Sequence, residues 1–218
     1  MLLLDFYCGR WGWGKVFAER GWDVIGFDLV EPPVIPQGCR FEKRDVLRMT
    51  VEEVKAYGAD FACASSPCEE FSVHGMKHFH PNPKFPDMGL ALFCYTRRLL
   101  DKSGLPYVME NVRAAQQFVG DANHHCGPFY LWGPGVPAIL PQGIIKGMTR
   151  EAMGFREFKD SPIWNRKHRQ IASGSKSKER KEMTALNATI PLELSSAVAE
   201  YAERLIEAEL EIQGKEQK

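Results

Sequence analysis

The chain has 218 residues, 44% of them hydrophobic, which is enough for one core of ordinary size with a small appendage. Lysine plus arginine and aspartate plus glutamate both number 28, so the net charge is zero and the broad positive field of a non-specific DNA binder is absent. Six scattered cysteines show no framework spacing, and no apolar stretch is long enough to cross a membrane. We expect no membrane partner and a reducing, cytoplasmic location, in a host cell if a phage encodes the chain.

Short apolar runs alternate with helical patterns along the first half of the chain. The runs predict strands at 2–6, 23–27, 60–64 and 105–109, with a further edge strand at 127–133. Apolar residues at helical spacing predict helices at 14–20, 51–57 and 86–102, and a long one from about 192 to 213. This alternation predicts an α/β fold whose mostly parallel sheet is wound on both faces.

Composition divides the chain into three segments. Residues 1–119 carry the strand and helix alternation and are expected to form the core. Residues 120–181 are rich in glycine, proline, histidine and aromatic residues, then polar and basic, which predicts a small irregular insertion of loops. Residues 182–218 are expected to return to the core through the last helix.

Chemically capable residues follow the ends of the predicted strands. Gly9, Asp28, Cys68 and Glu110 each lie just beyond an apolar run. In sheets wound on both faces, ligands bind outside the carboxyl ends of the strands. The sequence therefore predicts one site at that edge.

Two of these residues have a structural as well as a functional interpretation. A cysteine such as Cys68 is commonly a small buried hydrophobic residue, whereas a thiolate at a strand end is a nucleophile if a neighbour lowers its pKa. Glu110 either opens the next helix, where an acidic residue interacts favourably with the helix dipole, or shares a proton with a ring nitrogen of a bound base. Neither residue alone shows which of the two interpretations is correct.

Four motifs, taken together, resemble those of the cytosine C5 DNA methyltransferase family. The chain has Leu-Asp-Phe-Tyr-Cys-Gly-Arg-Trp-Gly at 4–12, Pro-Cys-Glu-Glu-Phe-Ser at 67–72, Glu-Asn-Val at 110–112 and Leu-Asn-Ala-Thr-Ile-Pro at 186–191. The family has Asp-Leu-Phe-Cys-Gly-x-Gly-Gly, Pro-Cys-Gln-x-Phe-Ser, Glu-Asn-Val and Gly-Asn-Ala-Val-Pro-Pro in the same order. The resemblance implies a Rossmann-like class I methyltransferase fold with residues 1–119 as the cofactor-binding and catalytic core.

The resemblance also implies a cofactor, S-adenosylmethionine, and DNA as the partner, from which the base must be flipped out if the DNA is a duplex. The short recognition region and the zero net charge suit single-stranded DNA as well. It implies that Cys68 adds to C6 of the cytosine and that Glu110 holds N3. The residues expected to bind the cofactor are Tyr7, Gly9, Gly12, Asp28, Leu29, Asp45, Pro67 and Asn187. The residues expected to bind the substrate are Ser72, His74, Lys77, Asn111, Arg166 and Arg169.

Some positions depart from the family pattern. Trp11 stands where the family has glycine, which predicts crowding of the cofactor turn, and Glu69 replaces the glutamine after the nucleophile, which disfavours a thiolate. Ser66 replaces the usual proline. The recognition region is short, so we expect sequence specificity to be reduced or supplied by a partner.

Alternatives to DNA methylation remain open from the sequence. Zero net charge also suits RNA or a free cytosine nucleotide as the substrate, and the departures suit a non-catalytic binding protein with the same fold. A nicotinamide-dependent enzyme would need Gly-x-Gly-x-x-Gly, which the glycines at 9, 12 and 14 do not provide. Adjacent histidines such as His124 and His125 cannot easily point at one ion, so no metal is expected.

Overall fold

The computed structural model describes residues 1–68, 71, 86–143 and 189–216. The strands are β1 (Leu2–Phe6), β2 (Asp23–Asp28), β3 (Cys39–Lys43), β4 (Phe61–Ser65), β5 (Tyr107–Asn111), β6 (His124–Cys126) and β7 (Phe129–Trp132). The helices are α1 (Gly14–Glu19), α2 (Val51–Ala56), α3 (Pro86–Ser103), α4 (Gln116–Val119) and α5 (Leu192–Glu216). Two short 3₁₀ turns, Val46–Arg48 and Arg113–Ala115, follow β3 and β5.

The strands form one seven-stranded sheet in the order β3-β2-β1-β4-β5-β7-β6. The first five strands in the chain are parallel, β7 is antiparallel to β5, and β6 is antiparallel to β7. From β1 the chain adds β2 and β3 on one side of the sheet and then β4 and β5 on the other, so the strand order reverses between β1 and β4. A crevice outside the carboxyl ends of the strands forms at such a switch point.

The central strands are buried because helices cover both faces of the sheet. Four of the five residues of β1 and of β4, and all five of β5, are buried. Continuous apolar runs of this kind are typical of parallel strands that lie between two layers of helix.

Each face of the sheet has its own hydrophobic core. One core includes side chains of α1 and α5, and its members include Phe17, Trp22, Leu194 and Val198. The other includes side chains of α2 and α3, among them Val54, Phe93, Leu99 and Leu100. The sheet is therefore wound on both faces.

Polar contacts fix the ends of the helices. Thr50 and Glu53 form a reciprocal capping box at the start of α2, with side-chain to backbone distances of 3.2 and 2.8 Å. Glu203 of α5 accepts a bond from Arg20 at 2.6 Å and one from the Trp22 indole at 3.2 Å. The second set attaches the last helix to the first βα unit.

The predicted fold class is confirmed: the protein is α/β, with a Rossmann-like, mostly parallel sheet wound on both faces. Every predicted helix and strand is present, with ends that differ by a few residues. The strand predicted at 127–133 is present as β7. It is not an edge strand as predicted, because β6 pairs with its outer side. Within the described ranges, no helix is both long and apolar enough to be a membrane span.

The predicted division into three segments stays a prediction. The structure places β6 and β7, which lie in the segment 120–181, in the same sheet as the strands of the core. Most of that segment, from residue 144 onward, lies outside the described residues.

Candidate functional site

The turn between β1 and α1 forms the first wall of the site. Its backbone takes the left-handed conformation at Tyr7, Gly9 and Trp11, with φ angles of 60°, 45° and 61°. Only glycine enters this region without steric cost, so Tyr7 and Trp11 are each held there at a cost of roughly 1–2 kcal/mol. Among the described residues, a Cβ built on Gly9 would meet only the Tyr7 carbonyl oxygen within 4 Å, at 3.7 Å. The turn thus presents an open surface at Gly9.

Asp28, at the carboxyl end of β2, faces this turn. Its Oδ2 accepts a hydrogen bond from the Gly9 amide at 3.2 Å, and its Oδ1 accepts bonds from the amides of Leu29 and Val30 at 2.7 and 3.2 Å. The carboxylate is therefore held in place by backbone donors from both turns. Leu29 is 59% exposed beside it.

Tyr7 and Asp45 lie on the same side of the site as Asp28. The pKa of Tyr7 is raised to about 12, mainly by burial, with smaller raising effects of the negative charges of Asp45 and Asp28 and a lowering effect of the hydrogen bond to Thr96. The Tyr7 hydroxyl lies 2.9 Å from the Thr96 hydroxyl of α3. Asp45 caps the 3₁₀ turn after β3 through the Leu47 amide, at 3.1 Å. The three predicted cofactor residues are thus close enough to interact electrostatically.

Asp5 supports the turn from inside the sheet. Its Oδ2 accepts a hydrogen bond from the Gly14 amide at 3.0 Å, at the start of α1. Its Oδ1 is buried and has no hydrogen-bond partner among the described residues. Desolvation raises the pKa of this carboxyl to about 7, with a smaller contribution from the charge of Asp28.

Trp11 lies beneath the turn and not over it. Its indole packs on the backbone of Gly14 and Gly26, where a Cβ at Gly14 would lie 2.8 Å from the ring. The side chain is 2% exposed and belongs to the core on the α1 side. The crowding expected at this position is therefore absent, because two glycines make room for the ring in the core.

Gly12 makes room for the other end of the chain. A Cβ at this position would lie 2.8 Å from the Ile190 amide nitrogen and 3.0 Å from the Ile190 Cβ. The first and the last of the four motifs are therefore in direct contact. This glycine serves packing against the segment before α5.

The ends of β4 and β5 form the second wall. The register of the two strands pairs Ser65 with Glu110, which is 9% exposed. Beyond Ser65 the chain continues through Ser66 and the exposed Pro67 to Cys68, which is half-buried. The two predicted catalytic residues therefore come from adjacent strand ends.

Asn111 ties these two strand ends together. The side chain is fully buried, and its Nδ2 donates to the Ser66 carbonyl oxygen at 3.0 Å and to the Ser66 hydroxyl at 3.1 Å. Its Oδ1 accepts a bond from the Val112 amide at 2.9 Å. Asn111 thus positions the segment that leads to Cys68, and its predicted contact with substrate stays a prediction.

The two walls are linked by Trp13. Its indole N–H donates to the Ser65 hydroxyl at 2.9 Å, and its carbonyl oxygen accepts from the Ser195 hydroxyl of α5 at 3.3 Å. The turn after β1, the end of β4 and the last helix are therefore joined through one buried residue.

The remaining predicted site residues are not tested by the structure. Those that lie outside the described residues are Ser72, His74, Lys77, Arg166, Arg169 and Asn187. Sequence reasoning missed several residues that support the site, namely Asp5, Trp13, Ser65 and Thr96. Of these only Asp5 could have been found, because an acidic residue interrupts an apolar strand there.

Comparisons with known proteins show the fold alone. No family model matches the chain, and no curated protein matches its sequence. Similar solved structures include the Entamoeba histolytica methyltransferase EhMeth (14% identity, TM-score 0.40) and the S. pombe Dnmt2 methyltransferase (16% identity, TM-score 0.40). Both matches cover 54% of this chain, and they span only 39% and 36% of those proteins.

A dehydrogenase gives a comparable match. A short chain dehydrogenase family protein from Francisella tularensis has 17% identity and a TM-score of 0.35, over 56% of this chain and 54% of its own. The similarities therefore concern a Rossmann-like sheet and do not separate one cofactor from another. The function has to be argued from the residues of the site.

Proposed function

We propose that the protein transfers a methyl group from S-adenosylmethionine to C5 of cytosine in DNA, with Cys68 as the covalent nucleophile. One observation carries the proposal: β4 and β5 are adjacent and in a register that pairs Ser65 with Glu110, while Asn111 holds Ser66. Two motifs that are distant in sequence are thereby brought to one edge of the sheet. The order of all four motifs along the chain supports the same chemistry.

The residues at the ends of β1 and β2 fit S-adenosylmethionine. The open surface at Gly9 leaves room for a ligand against the backbone, and the carboxylate of Asp28 is an acceptor for the ribose hydroxyls. Exposed Leu29 offers an apolar contact to the adenine, and Asp45 a second acceptor. The negative charges of Asp28 and Asp45 also suit a cationic ligand. When bound, the cofactor supplies an electrophilic methyl group.

Cys68 and Glu110 would activate the cytosine. The Cys68 thiolate adds to C6, which forms a carbon–sulfur bond and places the displaced electron pair on C5. Glu110 holds N3 and shares a proton with it, so that the ring accepts this charge. Transfer of the methyl group to C5 would leave S-adenosylhomocysteine. A solvent water would then accept the C5 proton, the freed electron pair would restore the C5–C6 double bond, and the bond between Cys68 and C6 would break to regenerate the thiolate.

The polymer state of the substrate follows from the cost of reaching the base. In duplex DNA the cytosine must leave the stack, which costs a few kcal/mol, whereas single-stranded DNA avoids this cost. Zero net charge gives no broad attraction to a phosphate backbone. Single-stranded DNA is therefore the substrate we favour, and RNA and the free nucleotide are outcomes of the test.

The test is direct detection of the product. Protein and labelled S-adenosylmethionine are incubated with single-stranded DNA, duplex DNA, RNA or dCMP, and the nucleosides are examined by mass spectrometry for 5-methylcytosine. Cys68→Ser should abolish the product and leave cofactor binding intact by calorimetry. Cys94→Ser, at an exposed position on α3, is the matched control and should keep full activity.

Three outcomes would contradict the proposal. Failure to bind S-adenosylmethionine would favour a non-catalytic protein of this fold. Product on RNA or dCMP alone would keep the chemistry and replace the substrate. Full activity of Cys68→Ser would remove Cys68 as the nucleophile.

A further inference from the structure

A pair of stacked aromatic rings lies at the same edge of the sheet as the catalytic residues. The rings of His125 on β6 and Tyr130 on β7 are 4.9 Å apart between centroids and inclined by only 15°. His125 is exposed and Tyr130 is half-buried. The pair is thus on the surface, with the tyrosine as the support of the histidine.

The strand register fixes where this pair lies relative to the site. Asn111 pairs with Tyr130, and Tyr130 pairs with His125, so the three residues form one row across β5, β7 and β6. Asn111 is the last residue of β5, and Glu110 lies in the neighbouring row with Leu131 and His124, on the other face of the sheet. Since neighbouring strands are about 4.8 Å apart, His125 lies roughly 10 Å from the end of β5.

We propose that His125 and Tyr130 form a stacking site for a nucleobase of a single-stranded polynucleotide, near the end of β5 and on the face of the sheet opposite Glu110. The inference rests on the proposed function for its location and adds a second contact for the polymer. Aromatic side chains hold single strands in this way because every base has a flat face, and the contact does not depend on sequence. A stacking contact also needs no charge, in agreement with the zero net charge of the chain.

The rings of His124 and His125 meet edge to face, with centroids 6.2 Å apart. Two adjacent imidazoles are an incomplete ligand set, because a structural zinc site has four protein ligands. Within the part of the chain that is described, no group of three or more metal-ligating side chains is found.

A purely structural explanation makes different predictions. A cross-strand aromatic pair stabilises a hairpin by roughly 0.2–1 kcal/mol, and this alone could account for the stack. In that case loss of the His125 ring would lower the melting temperature and leave the affinity for oligonucleotides unchanged. A stacking site predicts instead that loss of the His125 ring weakens the binding of oligonucleotides.

The test measures the binding of fluorescent single-stranded oligonucleotides, DNA and RNA in separate arms, by anisotropy. His125→Ala should weaken binding on the order of tenfold, as expected for the loss of one stacking contact. His125→Phe keeps a flat ring and should bind within about twofold of the original protein, since stacking is tolerant of ring type. Tyr201→Ala removes a half-buried ring from α5, which packs on the other face of the sheet, and is the control.

The outcomes separate this inference from the proposed function. A loss for His125→Ala that is restored in His125→Phe and absent in Tyr201→Ala supports the site, whether on DNA, RNA or both. Unchanged binding of His125→Ala, an equal loss in Tyr201→Ala, or no binding of either polymer by the original protein overturns it. Methyl transfer is not part of the measurement, so a failure of the proposed chemistry leaves the result interpretable.

Discussion

Replacement of Asp5 by asparagine should change how stability depends on pH. Burial raises the pKa of this carboxyl from 3.8 to about 7 in the folded protein. The folded state therefore holds a proton that the unfolded chain has lost between those two values, and stability falls as pH rises through this range. A difference of about three pH units corresponds to about 4 kcal/mol, which Asp5 costs the protein once it is ionised above pH 7.

The asparagine variant keeps the acceptor for the Gly14 amide and removes the titration. We expect its free energy of unfolding to match that of the original protein near pH 4 and to exceed it by about 4 kcal/mol above pH 8. Urea unfolding at a series of pH values measures the difference, in which the contributions of all other titrating groups cancel. Asp23→Asn, at an exposed position at the start of β2, is the control for the loss of one carboxylate.

The reasoning fails if the difference between Asp5→Asn and the original protein does not vary with pH. That result would mean that Asp5 is ionised in the folded state throughout the range. A variant that is less stable at every pH would show instead that the amide nitrogen of asparagine is not tolerated at the buried Oδ1 position.

Substitutions at three further positions test the packing of the site. Gly12→Ala places a Cβ against the Ile190 backbone and should lower the free energy of unfolding by about 1–3 kcal/mol in urea; unchanged stability would contradict the contact. Trp11→Gly should be less destabilising than Trp11→Ala by about 1 kcal/mol, because glycine tolerates the positive φ; the opposite order in the same assay would argue against the strained backbone. Asn111→Ala leaves the buried Ser66 groups without their donor and should cost about 1–3 kcal/mol, with a larger loss of methyl transfer than of cofactor affinity; equal losses in activity assay and calorimetry would remove its positioning role.

The central elements of the fold could be predicted because their local pattern and their burial agree. β1, β2, β4 and β5 are apolar runs of ordinary strand length, and they lie between two layers of helices. β3 was not predicted, since its sequence Cys-Arg-Phe-Glu-Lys is polar at an edge of the sheet. β6 has only three residues, too few for any periodicity.

The site could be predicted in outline for a similar reason. Residues at the carboxyl ends of parallel strands meet at one edge whatever the details of packing, so Asp28 and Glu110 follow from chain order alone. The contacts between the two walls do not follow from chain order. Trp13 reaches Ser65 and Tyr7 reaches Thr96 only because of the way distant elements pack, and no local pattern in the sequence records this.

The contact of Gly12 with Ile190, and of Trp13 with Ser195, also has a consequence for the order of folding during synthesis. The hydrogen bond between Trp13 and Ser195 joins residues 182 positions apart, so the turn after β1 is made early and is completed late. At translation rates of about 5–20 residues per second, the turn waits roughly 10–40 s for its last support. Until α5 leaves the ribosome, the apolar surface of α1 is open to chaperones. A nascent chain that ends before α5 should therefore bind no cofactor.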